Sequence, residues 1–205
     1  DPGEPGRRLG VQALLVRPIW GLDCARGGKD RTALAKRRGN VQMAPIEIRH
    51  YNDTMQVVGW VKSQWDGTVT PDRPTDIFVD VIGIGAGVVD RLNEQGIAVQ
   101  SFNAGAHTDW KDVSGQLQFA NLRSASWWNL RELLDPARGS TIALPPDDML
   151  TGDLTAPRWR PSSGGKILLE SKDDIKKRLG RSTDDGDAVV MAFWGQPAAV
   201  WGFLV

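Results

Sequence analysis

Two apolar runs, Ile19 to Cys24 and Ile77 to Ile82, each carry an aspartate where a core residue belongs, and this pair constrains the fold more than any other feature of the chain. Strand alternation puts Asp23 on the face of Ile19 and Gly21, and Asp80 between Phe78 and Ile82. Neither acid falls at a solvated strand end on this reading. An ionised carboxylate is expensive to bury alone, so it is normally paired, hydrogen-bonded, protonated or bound to a metal. Two such acids on central strands mark a candidate cation site. A third source of acid, Asp184 to Asp187, opens the last apolar helix, where Asp184 and Asp187 share a face and Asp185 points elsewhere. If that first turn packs over Asp23 and Asp80, oxygen donors converge without His or Cys, the surroundings that Mg²⁺ or Mn²⁺ prefers. For each acid taken alone the competing reading is structural: a salt-bridged core acid for Asp23 or Asp80, a first-turn residue complementing the helix dipole for Asp184 and Asp185.

The elements around these acids follow from periodicity and turn residues. Arg17 to Cys24, Asp30 to Arg38 and Val41 to Tyr51 read as three short strands of an antiparallel meander, followed by a helix over Asp53 to Trp65 and a polar loop through Thr75. Asp76 to Ile82, a helix from Gly87 to Gln95, and Ile97 to Phe102 form a βαβ unit, so a mixed sheet is expected. After a loop from Asn103 to Gln116, Phe119 to Leu134 is amphipathic and puts Trp127 and Trp128 in the core. Thr141 to Leu144 reads as a short strand, Asp147 to Ala156 as a helix, and Arg158 to Leu169 as a hairpin around Ser162 to Gly165. Ser171 with Asp174, and Ser182 with Asp185, fit the capping pattern that opens a helix. Residues 1 to 16, with Pro2, Gly3, Pro5 and Gly6, read as a linker or cut end, leaving 17 to 205 as the folded domain.

Composition removes several classes. The 205 residues suit one domain, and the single Cys24 excludes an internal disulfide and CxxC zinc spacing, which points to a reducing, cytosolic compartment. No apolar run approaches the roughly 20 residues of a bilayer span, so no membrane partner is expected. The balance of 25 basic and 25 acidic residues excludes a wholly cationic coat protein and leaves local charge open. His50 and His107 accompany no readable Ser or Cys nucleophile motif. Gly83-Ile84-Gly85-Ala86-Gly87-Val88 imitates a dinucleotide fingerprint, but Val88 stands at the third glycine and no acid ends the next strand, so these glycines read as a tight strand-to-helix turn beside Asp80. No phosphate loop exists either, since Gly165-Lys166 is followed by Ile167, and the chain should not hydrolyse ATP by itself.

Four collinear segments carry a family likeness: Gly21 to Thr32, Val79 to Asp90, Asn121 to Trp128, and Lys172 to Ala188. Together they resemble the nuclease domain of tailed-bacteriophage large terminase subunits. The resemblance implies an RNase H-like α/β fold, a mixed five-stranded central sheet flanked by helices. It implies that Asp23, Asp80 and Asp187 are catalytic and bind Mg²⁺ or Mn²⁺, with Asp184 as an accessory ligand. It further implies a metal-dependent endonuclease that cuts concatemeric double-stranded DNA in the host cytoplasm, partnered by an N-terminal ATPase motor in the same full-length chain, a small terminase subunit and a portal protein. Two ions about 3.5 to 4 Å apart would activate water and stabilise the leaving oxygen. Arg26, Lys29 and Arg31 on the first hairpin, and Lys176, Lys177, Arg178 and Arg181 before the last helix, are candidates for DNA phosphates, with cleavage largely independent of sequence. The chain departs from the family at its start, where the motor should be, and in carrying Asp185 and Gly186 where relatives often have a basic or apolar residue and Ala. The alternatives are another RNase H-like nuclease of the junction-resolvase type and a DNA-docking module inactive in isolation.

Overall fold

A computed structural model describes residues 16–25, 31–43, 45–51, 53–139 and 142–194. The expectations at residues 1–15, at Arg26 and Lys29, and at Thr141 lie outside the described residues.

A six-stranded mixed sheet forms the centre, built from β1 (Ile19–Asp23), β2 (Thr32–Arg38), β3 (Val41–Gln42), β4 (Glu47–Arg49), β5 (Asp76–Asp80) and β6 (Val99–Phe102). Its order is β3-β2-β1-β5-β6, with β4 also pairing β2, so the six segments fill five positions across the sheet. β1, β2 and β3/β4 make the antiparallel meander, while β5 lies parallel to both β1 and β6. The third strand, expected to be continuous from Val41 to Tyr51, is broken. Its register on β2 steps by two residues between Arg37↔Gln42 and Leu34↔Glu47, across a stretch containing Pro45, which has no N–H to give the ladder. The expected strand at Thr141 to Leu144 is a single parallel bridge between Val41 and Ala143.

Six helices flank this sheet among the described residues: α1 (Thr54–Asp66), α2 (Gly85–Glu94), α3 (Leu122–Leu133), α4 (Asp148–Thr155), α5 (Lys172–Leu179) and α6 (Asp184–Ala192). A separate hairpin pairs β7 (Trp159–Pro161) with β8 (Ile167–Leu169). None of these helices is long and apolar enough to cross a membrane.

Period-two alternation sorts the strand residues onto two faces. Trp20 and Leu22 of β1, Leu34 of β2 and Ile77 and Val79 of β5 pack with Val57, Val58 and Val61 of α1 and Val88 and Leu92 of α2. The opposite face carries Ala33 and Ala35 against Ala188, Val189 and Ala192 of α6, with Leu130 of α3 and Leu150 of α4 beside them. Small residues line that seam for a reason. A Cβ on Gly21 would overlap the Ala188 carbonyl oxygen and crowd the Ala192 nitrogen, so glycine lets α6 lie directly on β1. That close approach delivers the first turn of α6 to the end of β1.

Candidate metal and nucleic-acid site

Asp23 and Asp80 are the last residues of β1 and β5, adjacent parallel strands, and both face α6. They are strand ends after all, but each is only 5% exposed, with Lys172 at the start of α5 packed against both. Beyond Asp80 the chain turns sharply. The Ile82 N–H donates to Asp80 Oδ1 at 3.0 Å, Gly83 adopts φ +84°, and a Cβ on Gly85 would overlap the Asp80 carbonyl oxygen. The glycines that imitate a dinucleotide fingerprint thus permit the tight passage from β5 into α2.

Asp187 arrives from α6, and one cation gathers the three acids. Lys172 Nζ, at the first position of α5, lies 3.1 Å from Asp23 Oδ1, 3.1 Å from Asp80 Oδ2 and 3.4 Å from Asp187 Oδ2. The predicted carboxylates therefore do converge. Among the described residues no three acid, His or Cys side chains already stand at distances that would hold a metal ion; the positive charge at the centre is the lysine's. Lys172 is the residue that sequence reading missed. Its only signal was its place next to the Ser171 cap, whose pairing with Asp174 is present as expected, the Asp174 N–H reaching Ser171 Oγ at 3.1 Å.

Electrostatics divide the acids. Burial, followed by the negative charges of Asp187 and Asp80, pushes Asp23 up to about 8 against the opposing pull of Lys172. Burial also opposes the charge on Asp187, yet Lys172, Arg123 and hydrogen bonds from Trp127 and Thr183 outweigh it and hold that carboxyl below the usual range. The hydrogen bonds orient it too: Trp127 Nε1 donates to Oδ1 at 3.0 Å and Thr183 Oγ1 to Oδ2 at 2.9 Å. Lys172, half-buried among three acids, is held well above the ordinary lysine value once their attraction has overcome its desolvation. Burial, reinforced by Asp23 and Asp80, pushes the Cys24 thiol up as well, which disfavours its thiolate.

The remaining acids of α6 are buried too. Asp185, read as a first-turn acid complementing the helix dipole, is 3% exposed and accepts from Arg31 Nη2 at 2.8 Å; burial pushes it up to about 6, with Arg31 opposing. Asp184 accepts the Arg31 backbone N–H at 3.1 Å and lines the same cleft as Asp23 and Asp80. The expected Ser182–Asp185 capping pair does not form. Thr183 is the N-cap residue, without a side-chain cap, because its hydroxyl serves Asp187 and the Asp185 carboxylate serves Arg31.

A cleft of about 840 Å³ opens over the acids, walled by Arg158, Trp159 and Arg160 of the hairpin region and by Ser171 to Asp174 and Lys176 of α5. Several predicted phosphate ligands have partners inside the protein. Arg178 pairs with Glu170 at 2.5 Å, Arg181 with the fully buried Asp153, and Arg31 with Asp185. Lys176 lines the cleft and Lys177, 3.6 Å from Asp174, is exposed. Trp127 and Trp128 are buried, as their helical spacing predicts.

No family model and no curated protein sequence matches the chain. Solved structures do resemble it. A point mutant of the nuclease domain of large terminase subunit gp2 of bacterial virus Sf6, with manganese and beta-thujaplicinol, matches at TM-score 0.72 and 21% identity over 93% of each chain. The large terminase nuclease of thermophilic phage G20c with bound magnesium matches at 0.58 and 17%, covering 87% of this chain and 80% of that one. The large terminase nuclease domain of Thermus phage P74-26 matches at 0.56 and 14%, covering 87% and 78%. At these identities the likeness is one of architecture, and the chain has the RNase H-like fold found in the nuclease domains of phage large terminase subunits.

Proposed function

We propose that the chain is a divalent-metal-dependent DNA endonuclease domain that cuts double-stranded DNA during phage genome packaging, in the host cytoplasm and alongside an ATPase motor. One observation carries the reading: carboxylates from β1, β5 and α6 gather within 3.4 Å of a single ammonium at the floor of a cleft. The donor set fits a hard divalent cation, since every ligand is an oxygen and the position already holds positive charge. Asp23, Asp80 and Asp187 would hold the ions in place of the Lys172 amine, with Asp184 as an accessory. The solved nuclease domains of Sf6 and G20c that resemble the chain are described with manganese and with magnesium. When bound, Mg²⁺ or Mn²⁺ supplies Lewis-acid activation of water and of the phosphodiester.

The chain's own residues prepare the site. Trp127 and Thr183 fix both oxygens of Asp187, so that Oδ2 faces the cleft centre. The Ile82 N–H does the same for Asp80 by occupying Oδ1 and leaving Oδ2 toward the centre. Lys172 keeps the acids together before an ion arrives and must withdraw when one does. Phosphates flanking the cut would meet Lys176 and Lys177 on α5 and Arg158 and Arg160 of the hairpin region. Arg31, Arg178 and Arg181 could join them only by leaving internal ion pairs.

Supercoiled plasmid incubated with the chain and Mn²⁺ or Mg²⁺ tests the reading. Nicked and linear products that EDTA and Asp80→Ala both abolish are expected. Absence of cutting at every metal concentration would overturn it, and strong preference for branched over linear duplex would favour a junction-resolving enzyme.

A further inference from the structure

Beside the acids lies a second cation that the proposed chemistry does not use. Arg123, in the first turn of α3, is 8% exposed, stands next to Asp187 and lines both the cleft and a small cavity below it. Its Nη1 donates to the Glu170 carbonyl at 2.5 Å, its Nε lies 3.6 Å from Asp187 Oδ1, and its guanidinium is 5.6 Å from the Trp127 ring. Nε and Nη2 are buried and make no hydrogen bond to any described group. They border a cavity of about 10 Å³ shared with Asp80, Ser126, Trp127 and Asp187. That space is about one water in size, and its lining is polar enough to hold one.

The two cations differ in kind. Lys172 is a point charge on a flexible stem with a third of its side chain exposed, facing the cleft. Arg123 is tethered at Nη1 and lies against an indole, its planar fork held in one orientation. An incoming ion can replace the first and not the second. Asp187 is divided accordingly, Oδ1 toward Trp127 and Arg123, Oδ2 toward Lys172.

Building on the metal-nuclease reading, we propose that Arg123 is a positioning residue: through one water in this cavity it braces Asp80 and Asp187 and fixes their separation for the ion, acting on the acids rather than on phosphate. Outer-shell partners of this sort typically account for roughly 10- to 100-fold in metal affinity or activity.

The test compares wild type with Arg123→Gln, Arg123→Lys and Ser126→Val, the last filling the cavity while keeping the guanidinium. Mn²⁺ affinity is measured by calorimetry, kcat and KM by plasmid cleavage, and folding by thermal melts without metal. Mn²⁺ affinity should fall on the order of 10-fold or more in all three. Activity should recover at saturating Mn²⁺, KM for DNA should hold, and lysine should not rescue, since it cannot span Glu170 and the cavity. Unchanged Mn²⁺ affinity with a raised KM would make Arg123 a phosphate ligand and overturn the proposal; unchanged affinity and kcat would overturn it outright. Should Arg123→Gln fail to fold, Arg123→Lys and Ser126→Val decide between the same outcomes. A wild-type chain that neither binds Mn²⁺ nor cuts DNA removes the nuclease reading and this proposal with it, whereas a wild type that does both beside unchanged variants removes only the proposal.

Discussion

At the scale of single residues, the site works because three acids share one mobile cation. Asp23, Asp80 and Asp187 meet at Lys172, and the ammonium, Arg123 and the hydrogen bonds from Trp127 and Thr183 hold the Asp187 carboxyl below its usual range against its burial. Removing Lys172 therefore exposes the acids to one another. Lys172→Ala should destabilise the metal-free chain by about 2 kcal/mol, on the order of 5 °C in Tm. Added Mn²⁺ should then raise the variant's Tm more than the wild type's, because the ion no longer competes with an amine. An equal Mn²⁺ shift in both proteins, read from melts with and without metal, would mean that the lysine and the ion do not contend for one position. The acids themselves were legible in the sequence, since a carboxylate inside an apolar strand breaks alternation. Lys172, Arg123 and Asp153 were not, because a charged residue on a short helix looks like surface until its distant partner is known.

At the scale of elements, the site depends on how α6 is seated. Gly21 admits α6 to β1, and Asp153 of α4 accepts the Gly186 N–H at 3.2 Å while pairing with Arg181. Gly186 is itself pressed by the Trp127 ring and the Asp153 side chain, where a Cβ would come within 3.0 Å of both. That packing accounts for the glycine at a position where an alanine was the family expectation. Gly21→Ala should push α6 outward, with roughly 3 kcal/mol lost in urea unfolding and cleavage abolished. Retained cleavage would show that the seam has slack. Asp153→Ala should lose about 2 to 4 kcal/mol, as it strands both Arg181 and the Gly186 N–H; Asp153→Asn, which keeps an acceptor, should lose less. Equal losses would assign the effect to the ion pair alone. The meander, the βαβ unit and the hairpin were readable from period and turn residues. The break at Pro45 and the uncapped start of α6 were not, because register and long-range partners decide them.

At the scale of the whole molecule, the 25 basic and 25 acidic residues cancel in number but not in place. Acids converge at the strand ends, and the cleft above them is lined by the basic residues Lys176, Arg158 and Arg160. Arg160→Ala should weaken DNA binding several-fold and flatten its salt dependence by about one phosphate contact without changing Mn²⁺ affinity, as fluorescence titration over a salt series would record. An unchanged slope would remove that wall from the interface. The central claim is that one divalent ion takes the place of the Lys172 ammonium among acids from three elements. A crystal soaked in Mn²⁺ and measured for anomalous scattering tests it directly. The account predicts a manganese peak ligated by Asp23, Asp80 and Asp187, with the Lys172 amine displaced; manganese bound elsewhere, or Lys172 still bridging the three acids at saturating metal, would contradict it.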